Sequence, residues 1–235
     1  MAALVLSGGG LFGAWQAGAW SVLADRFTPD LIVGASVGAL NGYAIAGGAT
    51  PEELRHMWLE PRFSRFDELP SNIRRMTAHY TPRIPFAITA TELPRMKPRI
   101  FRDAEIAWQH LAASCAVPLV LPQVRIGDHW YSDGGLLGVL PLWAAAELGA
   151  KQMVGLQALP QTPSWLLNQF VRAFRGVASH TPPVPAGVKV YELRPSRPLG
   201  SVRDTLRWKR SNIERWLDQG AEDASRAVTQ KTFLF

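Results

Sequence analysis

Residues 2–13 have the sequence AALVLSGGGLFG, and residues 30–38 have the sequence DLIVGASVG. Each segment begins with a short apolar run, which is typical of a strand buried on both faces of a parallel sheet. Each run ends in a glycine-rich turn, and residues with helical spacing follow it. Two successive units of strand, glycine turn and helix predict an α/β fold with a parallel sheet.

The rest of the chain continues this alternation. Further strands are predicted at 86–91, 124–131, 152–159 and 188–193, and further helices at 104–116, 142–148 and 213–228. Another helix is predicted to begin at Thr50, with Pro51 in its first turn and Glu53 completing a capping box. Residues 61–85 are rich in proline and arginine with little periodicity, so they are predicted to form either a solvated basic loop or a lid over the site.

Composition limits the class of protein. The chain has 235 residues, of which 47% are hydrophobic and 19% charged, so it can bury a core and is not a disordered chain. No linker or repeat divides it, and a single domain over 1–235 is predicted, with the recognisable motifs in 1–159. Cys115 is the single cysteine, which excludes an internal disulfide and a cysteine-cluster zinc site. No metal or cofactor is expected.

Charge and hydropathy bear on location and partners. No apolar run reaches the roughly 18 to 20 residues of a membrane span, and the N-terminal ten residues lack the pattern of a secretory signal, so a cytoplasmic location is expected. The net charge of +6 suits nucleic acid or an anionic lipid surface. No nucleic-acid-binding motif accompanies the charge, and no nucleic-acid partner is predicted.

Ser36 lies in the second glycine turn, within Gly34-Ala35-Ser36-Val37-Gly38. A nucleophilic serine needs a tight, strained turn between a strand and a helix, and small residues two positions before and after it let the backbone fold back. The N-terminus of the following helix also favours developing negative charge. This context favours Ser36 as a nucleophile over an ordinary serine in a glycine-rich turn.

Asp133 is a candidate base for this serine. It follows the predicted strand 124–131 and precedes Gly134 and Gly135. Because the carboxyl ends of parallel strands share one edge of a sheet, Asp133 is predicted on the same rim as Ser36. The paired glycines allow a turn that aims the carboxylate sideways, and a solvated carboxylate in an Asp-Gly turn is the alternative.

The histidines are poorly placed to act as a base. They are His56, His79, His110, His129 and His180. In the hydrolase order of serine, acid and histidine, only His180 follows the acidic candidate, and it lies in a proline-rich loop with no strand leading into it. Surface or core positions are the better interpretation for all five.

The first glycine turn contains Gly8, Gly9, Gly10, Leu11 and Gly13. Unobstructed backbone N–H groups at a helix N-terminus form an anion site, which suits an oxyanion or a phosphate. The spacing also matches the dinucleotide pattern G-x-G-x-x-G, which requires an acidic residue at the end of the second strand to bind ribose. That acid is missing and a candidate nucleophile stands in its place, which disfavours a nucleotide site.

These three glycine-containing blocks, in this order and each after a strand, resemble the signature motifs of the patatin-like phospholipase family. Residues 36–41 (SVGALN) and 113–118 (ASCAVP) also resemble family segments that flank the site. The resemblance covers most of residues 2–159, and residues 160–235 are weakly diagnostic. It implies a three-layer α/β sandwich with a mostly parallel central sheet flanked by helices.

The resemblance also implies a lipid acyl hydrolase with a Ser-Asp dyad in place of a triad. Ser36 is then the nucleophile that attacks an ester carbonyl, Asp133 is the general base, and water releases the acyl group from the serine. The oxyanion hole is expected in the first glycine turn, among Gly8, Gly9, Gly10, Leu11 and Gly13. The N–H groups of Gly9 and Gly10 are the main expected donors, and that of Leu11 is a further candidate. A free aspartate has a pKa near 3.9, so burial must raise the pKa of Asp133, or the oxyanion hole must lower much of the barrier.

Two departures distinguish the chain from the family pattern. The family usually has Arg or Lys where this chain has Phe12, and often a polar pair where it has Gly138-Val139. The change at Phe12 bears on phospholipid headgroup preference more than on ester hydrolysis. It also leaves open an alternative function, a catalytically silent lipid- or acyl-binding protein that keeps the fold.

Two segments are candidates for peripheral membrane contact. Residues 165–177 carry an apolar stripe at helical spacing, and residues 203–210 combine four basic residues with Trp208. Tryptophan and arginine suit the headgroup level of a bilayer. The alternatives are packing of the stripe on the protein's own core and an exposed helix face for the basic run.

Overall fold

One mixed sheet of eight strands organises the computed structural model, which describes residues 1–61, 68–159 and 181–230. The strands are β1 (Ala2–Leu6), β2 (Leu31–Ala35), β3 (Phe86–Leu93), β4 (Lys97–Arg102), β5 (Val124–Ile126), β6 (His129–Ser132), β7 (Gln152–Leu156) and β8 (Lys189–Leu193). Their order is β5-β6-β3-β2-β1-β7-β8, and β4 pairs with β3. Strands β8, β7, β1, β2 and β3 are parallel, whereas β4 and β6 run antiparallel to β3 and β5 runs antiparallel to β6.

Helices cover both faces of the sheet. They are α1 (Gly13–Leu23), α2 (Val37–Ala46), α3 (Pro51–Leu59), α4 (Leu69–His79), α5 (Trp108–Ser114), α6 (Leu142–Glu147) and α7 (Arg210–Thr229). Alternate residues of β1 point to opposite faces: Leu4 and Leu6 pack with the larger helical layer, and Ala3 and Val5 pack against α6. The predicted layered α/β fold with a mostly parallel central sheet is confirmed.

Several local predictions are also confirmed. Thr50 accepts a hydrogen bond from the N–H of Glu53 at 3.1 Å, and the Glu53 carboxylate accepts one from the N–H of Thr50 at 2.8 Å, which completes the capping box. In the part of the chain that the structure describes, no helix combines the length and hydropathy needed to cross a bilayer.

The prediction of a long loop over 61–85 is wrong for Leu69–His79, which form α4. Ile73 and Met76, three positions apart, bury one side of this helix, and Pro70 sits in its first turn. This short amphipathic helix has a polar outer face. Its apolar spacing is hard to recognise in a segment rich in proline and arginine. Residues 62–67, with Arg62 and Arg65, lie outside the described residues.

The other wrong predictions concern the antiparallel strands and the start of α5. The predicted strand 124–131 is a hairpin of β5 and β6, and it turns at Gly127, which has a φ of 57°. Strand β4 was not predicted, because its alternating pattern of charged and apolar residues is short and interrupted by Pro98. Helix α5 begins at Trp108 instead of Ala104, after a short 3-10 turn at Asp103–Glu105.

The apolar stripe at 165–177 and His180 lie outside the described residues. The basic run at 203–210 is described, and it spans a 3-10 helix, Val202–Thr205, and the turn before α7. Its Trp208 is half-buried, and the indole N–H donates to the carbonyl of Trp58 at 3.4 Å.

Candidate active site

Ser36 occupies a strained turn between β2 and α2. It has a φ of 54° and a ψ of −128°, a conformation that L-residues rarely adopt. An added Cβ atom at Gly34 would lie 2.4 Å from the carbonyl oxygen of Gly38, and one at Gly38 would lie 2.4 Å from the carbonyl oxygen of Leu6. The turn therefore requires glycine on both sides of the serine, as the sequence pattern predicts.

The backbone of Ser36 is held by a serine on another element. The Ser36 N–H donates to Oγ of Ser114 at 2.9 Å, and the Ser114 hydroxyl donates to the carbonyl of Thr89 at 2.8 Å. All three residues are buried. Sequence reasoning quoted Ser114 only as part of the segment 113–118 and did not identify this role, which depends on the packing of α5 against β3.

Strand β6 carries Asp133 to the same edge of β3 as Ser36. Strand β4 pairs along residues 87–92 of β3, so β2 and β6 share the opposite edge. Ala35 pairs with Thr89 on that edge, and Ser132 pairs with Thr91. The ends of β2 and β6 therefore approach each other head-on. The prediction of a shared rim assumed a parallel strand before Asp133, and that assumption is wrong.

Three hydrogen bonds fix the turn at Asp133. Its N–H donates to the carbonyl of Ala116 at 3.0 Å, its carbonyl accepts from Oγ1 of Thr91 at 2.9 Å, and its Oδ1 accepts from the N–H of Gly135 at 2.7 Å. Gly134 is required here, because an added Cβ atom would lie 2.1 Å from the carbonyl oxygen of Thr89. Gly134 thus shapes the turn, and the N–H of Gly135 donates to the carboxylate.

Burial raises the pKa of the Asp133 carboxyl to about 6, and the Ser36 hydroxyl and the Gly135 N–H oppose this rise. The side chain is buried, with 6% of its surface exposed. The approach of Ser36 falls short of a full hydrogen bond, and Oδ2 has no partner among the described residues. The site therefore contains a carboxylate with a raised proton affinity and an uncommitted oxygen beside a serine.

The first glycine turn passes alongside Ser36. An added Cβ atom at Gly8 would lie 3.3 Å from Cβ of Ser36. The N–H of Gly8 donates to the carbonyl of Val139 at 2.9 Å, and that of Gly13 is directed at the carbonyls of Gly10 and Leu11. Gly8 and Gly13 therefore shape the loop, and their N–H groups already have acceptors within the protein.

The N–H groups of Gly9, Gly10 and Leu11 have no acceptor among the described residues. Gly9 has a φ of 155° and Gly10 a φ of 56°, and an added Cβ atom at Gly10 would lie 2.5 Å from the carbonyl oxygen of Thr205. Only glycine fits this path, and three consecutive amides remain available as donors.

Phe12 is a core residue in this structure. It is buried and packs edge-on against Trp216 of α7, with ring centroids 5.0 Å apart and an interplanar angle of 83°. The aromatic side chain that departs from the family pattern thus fastens the glycine turn to the C-terminal helix. Val139 belongs to the second departure from the family pattern. Its carbonyl accepts the N–H of Gly8 and so supports the same glycine turn.

Cys115 lies against the same site, and sequence reasoning did not identify it as a site residue. Burial and the charge of Asp133 raise the pKa of the Cys115 thiol well above its ordinary value, and the Ser36 hydroxyl opposes this effect. The thiol is therefore neutral at physiological pH.

The four histidines that the structure describes make other contacts. His56 lies 3.9 Å from Glu52 and His129 lies 3.6 Å from Glu92, whereas His79 and His110 pack against Tyr80 and Phe101. Within the described ranges, no group of three His, Cys, Asp or Glu side chains is arranged to hold a metal ion.

Comparison with known proteins connects this arrangement to a family. The family model described as patatin-like phospholipase matches residues 4–98 and 74–146. The chain is 26% identical over 191 residues to the patatin-like phospholipase domain-containing protein 7 of Rattus norvegicus, a match that covers 71% of this chain and 14% of that protein. It is 24% identical over 249 residues to the uncharacterized protein YjjU of Escherichia coli K12, a match that covers 85% of this chain and 70% of that protein.

A solved structure shares the fold. VipD from Legionella pneumophila superposes with a TM-score of 0.59 at 11% identity, over 97% of this chain and 66% of that chain. The family match extends over more than half of the sequence and includes all three glycine-containing blocks. The chain therefore belongs to the patatin-like phospholipase family.

Proposed function

We propose that this chain is a lipid acyl hydrolase, a phospholipase A or esterase, that cleaves carboxylic ester bonds through an acyl-enzyme on Ser36. Family membership supports a lipid hydrolase function. The finer proposal depends on one observation: a serine in a strained turn lies beside a buried carboxyl whose pKa is raised to about 6.

In the first half-reaction, Oγ of Ser36 attacks the ester carbonyl carbon while Asp133 accepts the hydroxyl proton. The tetrahedral intermediate then collapses, and the leaving alcohol takes that proton from Asp133. In the second half-reaction, Asp133 accepts a proton from water, which attacks the acyl-enzyme. Collapse releases the carboxylic acid and returns the proton to Ser36.

The raised pKa suits this role. A carboxylate with a pKa of about 6 is a stronger base than an ordinary aspartate and is still mostly ionised at pH 7. Its Oδ2 is the oxygen without a partner among the described residues, which leaves a lone pair for the serine proton. The Gly135 N–H on Oδ1 holds the carboxylate in orientation.

The N–H groups of Gly9, Gly10 and Leu11 are the proposed oxyanion donors. They are unengaged among the described residues, and the turn that carries them borders Ser36 at Gly8. Donors fixed by the backbone need little reorganisation as charge develops, and losing one such donor typically costs about 10²- to 10³-fold in rate.

The test is covalent labelling with a fluorophosphonate probe, together with turnover of a panel of short- and long-chain esters. We expect wild type to be labelled and active, Ser36→Ala to be unlabelled and inactive, and Asp133→Asn to lose at least about 10²-fold in turnover. Ser132→Ala is the matched control, because it removes a buried hydroxyl next to Asp133 without touching either proposed catalytic group.

Two results would contradict the proposal. Equal labelling of wild type and Ser36→Ala excludes the nucleophile, and full turnover by a folded Asp133→Asn excludes the base. A folded wild type that neither reacts with the probe nor turns over any ester, but binds lipid, would support the silent lipid-binding protein instead.

A further inference from the structure

The turn after α5 exposes a leucine. Leu119 is 93% exposed and has a φ of 67°, and Val120 is 39% exposed. The N–H groups of Val120 and Leu121 both donate to the carbonyl of Val117, at 3.1 Å and 2.9 Å, which fixes the turn. A left-handed conformation is unfavourable for leucine. The fold thus holds a large apolar side chain in solvent in a strained conformation.

Trp130 on β6 extends this apolar surface. It is 51% exposed, and it lines a groove of about 410 Å³ together with Leu93, Pro94, Pro122 and Gln123. Pro122 lies three positions after Leu119, so the turn and the groove adjoin. Single exposed apolar residues are ordinary, but a cluster of them marks an interaction surface. We call Leu119, Val120, Pro122, Pro94 and Trp130 the apolar patch.

The apolar patch adjoins the proposed catalytic dyad. Ala116, whose carbonyl accepts the Asp133 N–H at 3.0 Å, lies three residues before Leu119. Trp130 on β6 lies three residues before Asp133, which directly follows that strand. Three residues span at most about 11 Å of extended chain, so a surface that contacts the patch is close to the proposed site.

Positive charges outnumber negative ones around the apolar patch. Arg125 pairs directly with Trp130 across the β5–β6 hairpin, so the two side chains share a face. The exposed basic residues on this side are Arg125 and Arg95, which follows Pro94 in the chain, and the facing carboxylate is Asp128, 3.6 Å from Arg125. Lys97 and Arg99 pair with Glu92 and Ala90, so they lie on the opposite face of the sheet together with Glu92 and His129. Two cations against one carboxylate leave an excess of positive charge beside the patch.

We propose that the apolar patch docks this chain on an anionic phospholipid bilayer, with Leu119 entering the acyl region and Trp130 at headgroup level. Tryptophan and basic side chains are suited to that level, and anionic headgroups attract the surrounding cations. This inference rests on the proposed function, because it supplies the route by which lipid reaches Ser36. The basic run 203–210 is a weaker candidate, since its Trp208 is directed inward toward Trp58.

The test measures sedimentation of the protein with vesicles of phosphatidylcholine alone or with one fifth phosphatidylglycerol. All proteins carry Ser36→Ala, so that hydrolysis does not alter the lipid. Adding Leu119→Asn removes the apolar side chain while keeping a residue that tolerates a positive φ. The matched control is Leu206→Asn, which changes a leucine that is 39% exposed within the basic run 203–210.

We expect the parent protein to bind the anionic vesicles, Leu119→Asn to weaken this partition about tenfold, and Leu206→Asn to leave it unchanged. With Ser36 intact, Leu119→Asn should retain turnover of a soluble short-chain ester. Vesicle binding without ester turnover by wild type would support the docking surface while removing the proposed function.

A second readout places a fluorophore on the thiol of the Leu119→Cys variant. Labelling should be selective, because Cys115 is fully buried with a raised thiol pKa. Anionic vesicles should shift the emission to shorter wavelength. The proposal is overturned if neither emission nor sedimentation responds to vesicles, if Leu119→Asn binds like its parent, or if light scattering shows that the patch instead forms a dimer that Leu119→Asn dissociates.

Discussion

The parallel half of the sheet and its antiparallel rim contribute different things to the candidate site. The parallel half, β8-β7-β1-β2 with the first residues of β3, provides Ser36 and the glycine turn, and every residue of β2 is buried. The antiparallel rim, β4 with the β5–β6 hairpin, provides Asp133, and every residue of β5 is at least partly exposed. The packed half fixes backbone geometry, whereas the rim provides the buried carboxyl with a raised pKa and the exposed Trp130.

Glycine substitutions should distinguish the two regions most strongly. Gly38→Ala, in the parallel half, places a Cβ atom 2.4 Å from the Leu6 carbonyl oxygen and 2.6 Å from that of Ser7, and both are backbone atoms. We expect a loss of about 3 kcal/mol or more in the free energy of unfolding, or no folded protein at all. Gly127→Ala, on the rim, meets nothing within 4 Å and strains only a φ of 57°, so its loss should be about 1 to 2 kcal/mol.

Chemical denaturation of both variants measures these losses. If Gly38→Ala proves as stable as Gly127→Ala, the strand-to-helix turn around Ser36, the elbow, tolerates a side chain, and the packing account of the parallel half is wrong.

Ser114 links the two regions, because its hydroxyl joins the Ser36 N–H to the Thr89 carbonyl. Ser114→Ala leaves both of these buried groups without this partner, so we expect a loss of stability of about 2 kcal/mol. If the hydroxyl orients the nucleophile, kcat should fall about 10- to 30-fold with little change in KM, since the interaction serves the transition state more than substrate binding.

Two variants sharpen that measurement. Ser132→Ala removes a hydrogen bond to the Ala116 carbonyl that is 2.8 Å long, the same length as that from Ser114 to Thr89. The Ala116 carbonyl still accepts the Asp133 N–H in this variant. The losses of stability and of kcat should therefore be smaller than in Ser114→Ala. Ser114→Thr keeps the hydroxyl and should restore part of kcat. Equal losses of kcat in the two alanine variants would show that Ser114 has only a structural role.

The ionised carboxylate of Asp133, on the antiparallel rim, should lower the stability of the folded state. Folding raises the pKa of Asp133 from an ordinary value of 3.8 to about 6. Between these values the folded state binds more protons than the unfolded state, so the contribution of this carboxyl to stability is full below about pH 4 and is lost as the pH rises through 6. Asp133→Asn stays neutral and should be more stable than wild type by about 1 to 2 kcal/mol at pH 8.

Thermal or chemical unfolding at pH 8 and pH 4 checks this, and the advantage of Asp133→Asn should shrink at the lower pH. A variant less stable than wild type at pH 8 would mean that the carboxylate is better solvated or better hydrogen-bonded than its burial suggests.

The same contrast explains what sequence reasoning could predict. The buried apolar runs and glycine turns of the parallel half are local patterns, so the fold class, the elbow at Ser36 and the glycine turn were within reach. The capping box at Thr50 was predictable for the same reason, since it depends on four consecutive residues.

The rim depends on pairing between distant residues, which a local pattern does not contain. The hairpin at Gly127 has the local pattern of one continuous strand, and the pattern of β4 does not predict a strand. The sequence therefore gives the wrong direction for the strand that precedes Asp133. Ser114 and Cys115 approach Ser36 only because α5 packs against β3. Packing also explains Phe12, whose partner Trp216 is 204 positions away in the sequence.

The central claim is that Asp133, tuned by burial, is the base for Ser36, and the pH dependence of kcat/KM on a soluble short-chain ester tests it most directly. We predict that kcat/KM rises about tenfold per pH unit below pH 6 and levels off above it, and that Asp133→Asn loses this rise together with most of its activity. A rise with the same midpoint in Asp133→Asn, or a flat profile from pH 5 to pH 8 in wild type, would contradict the claim.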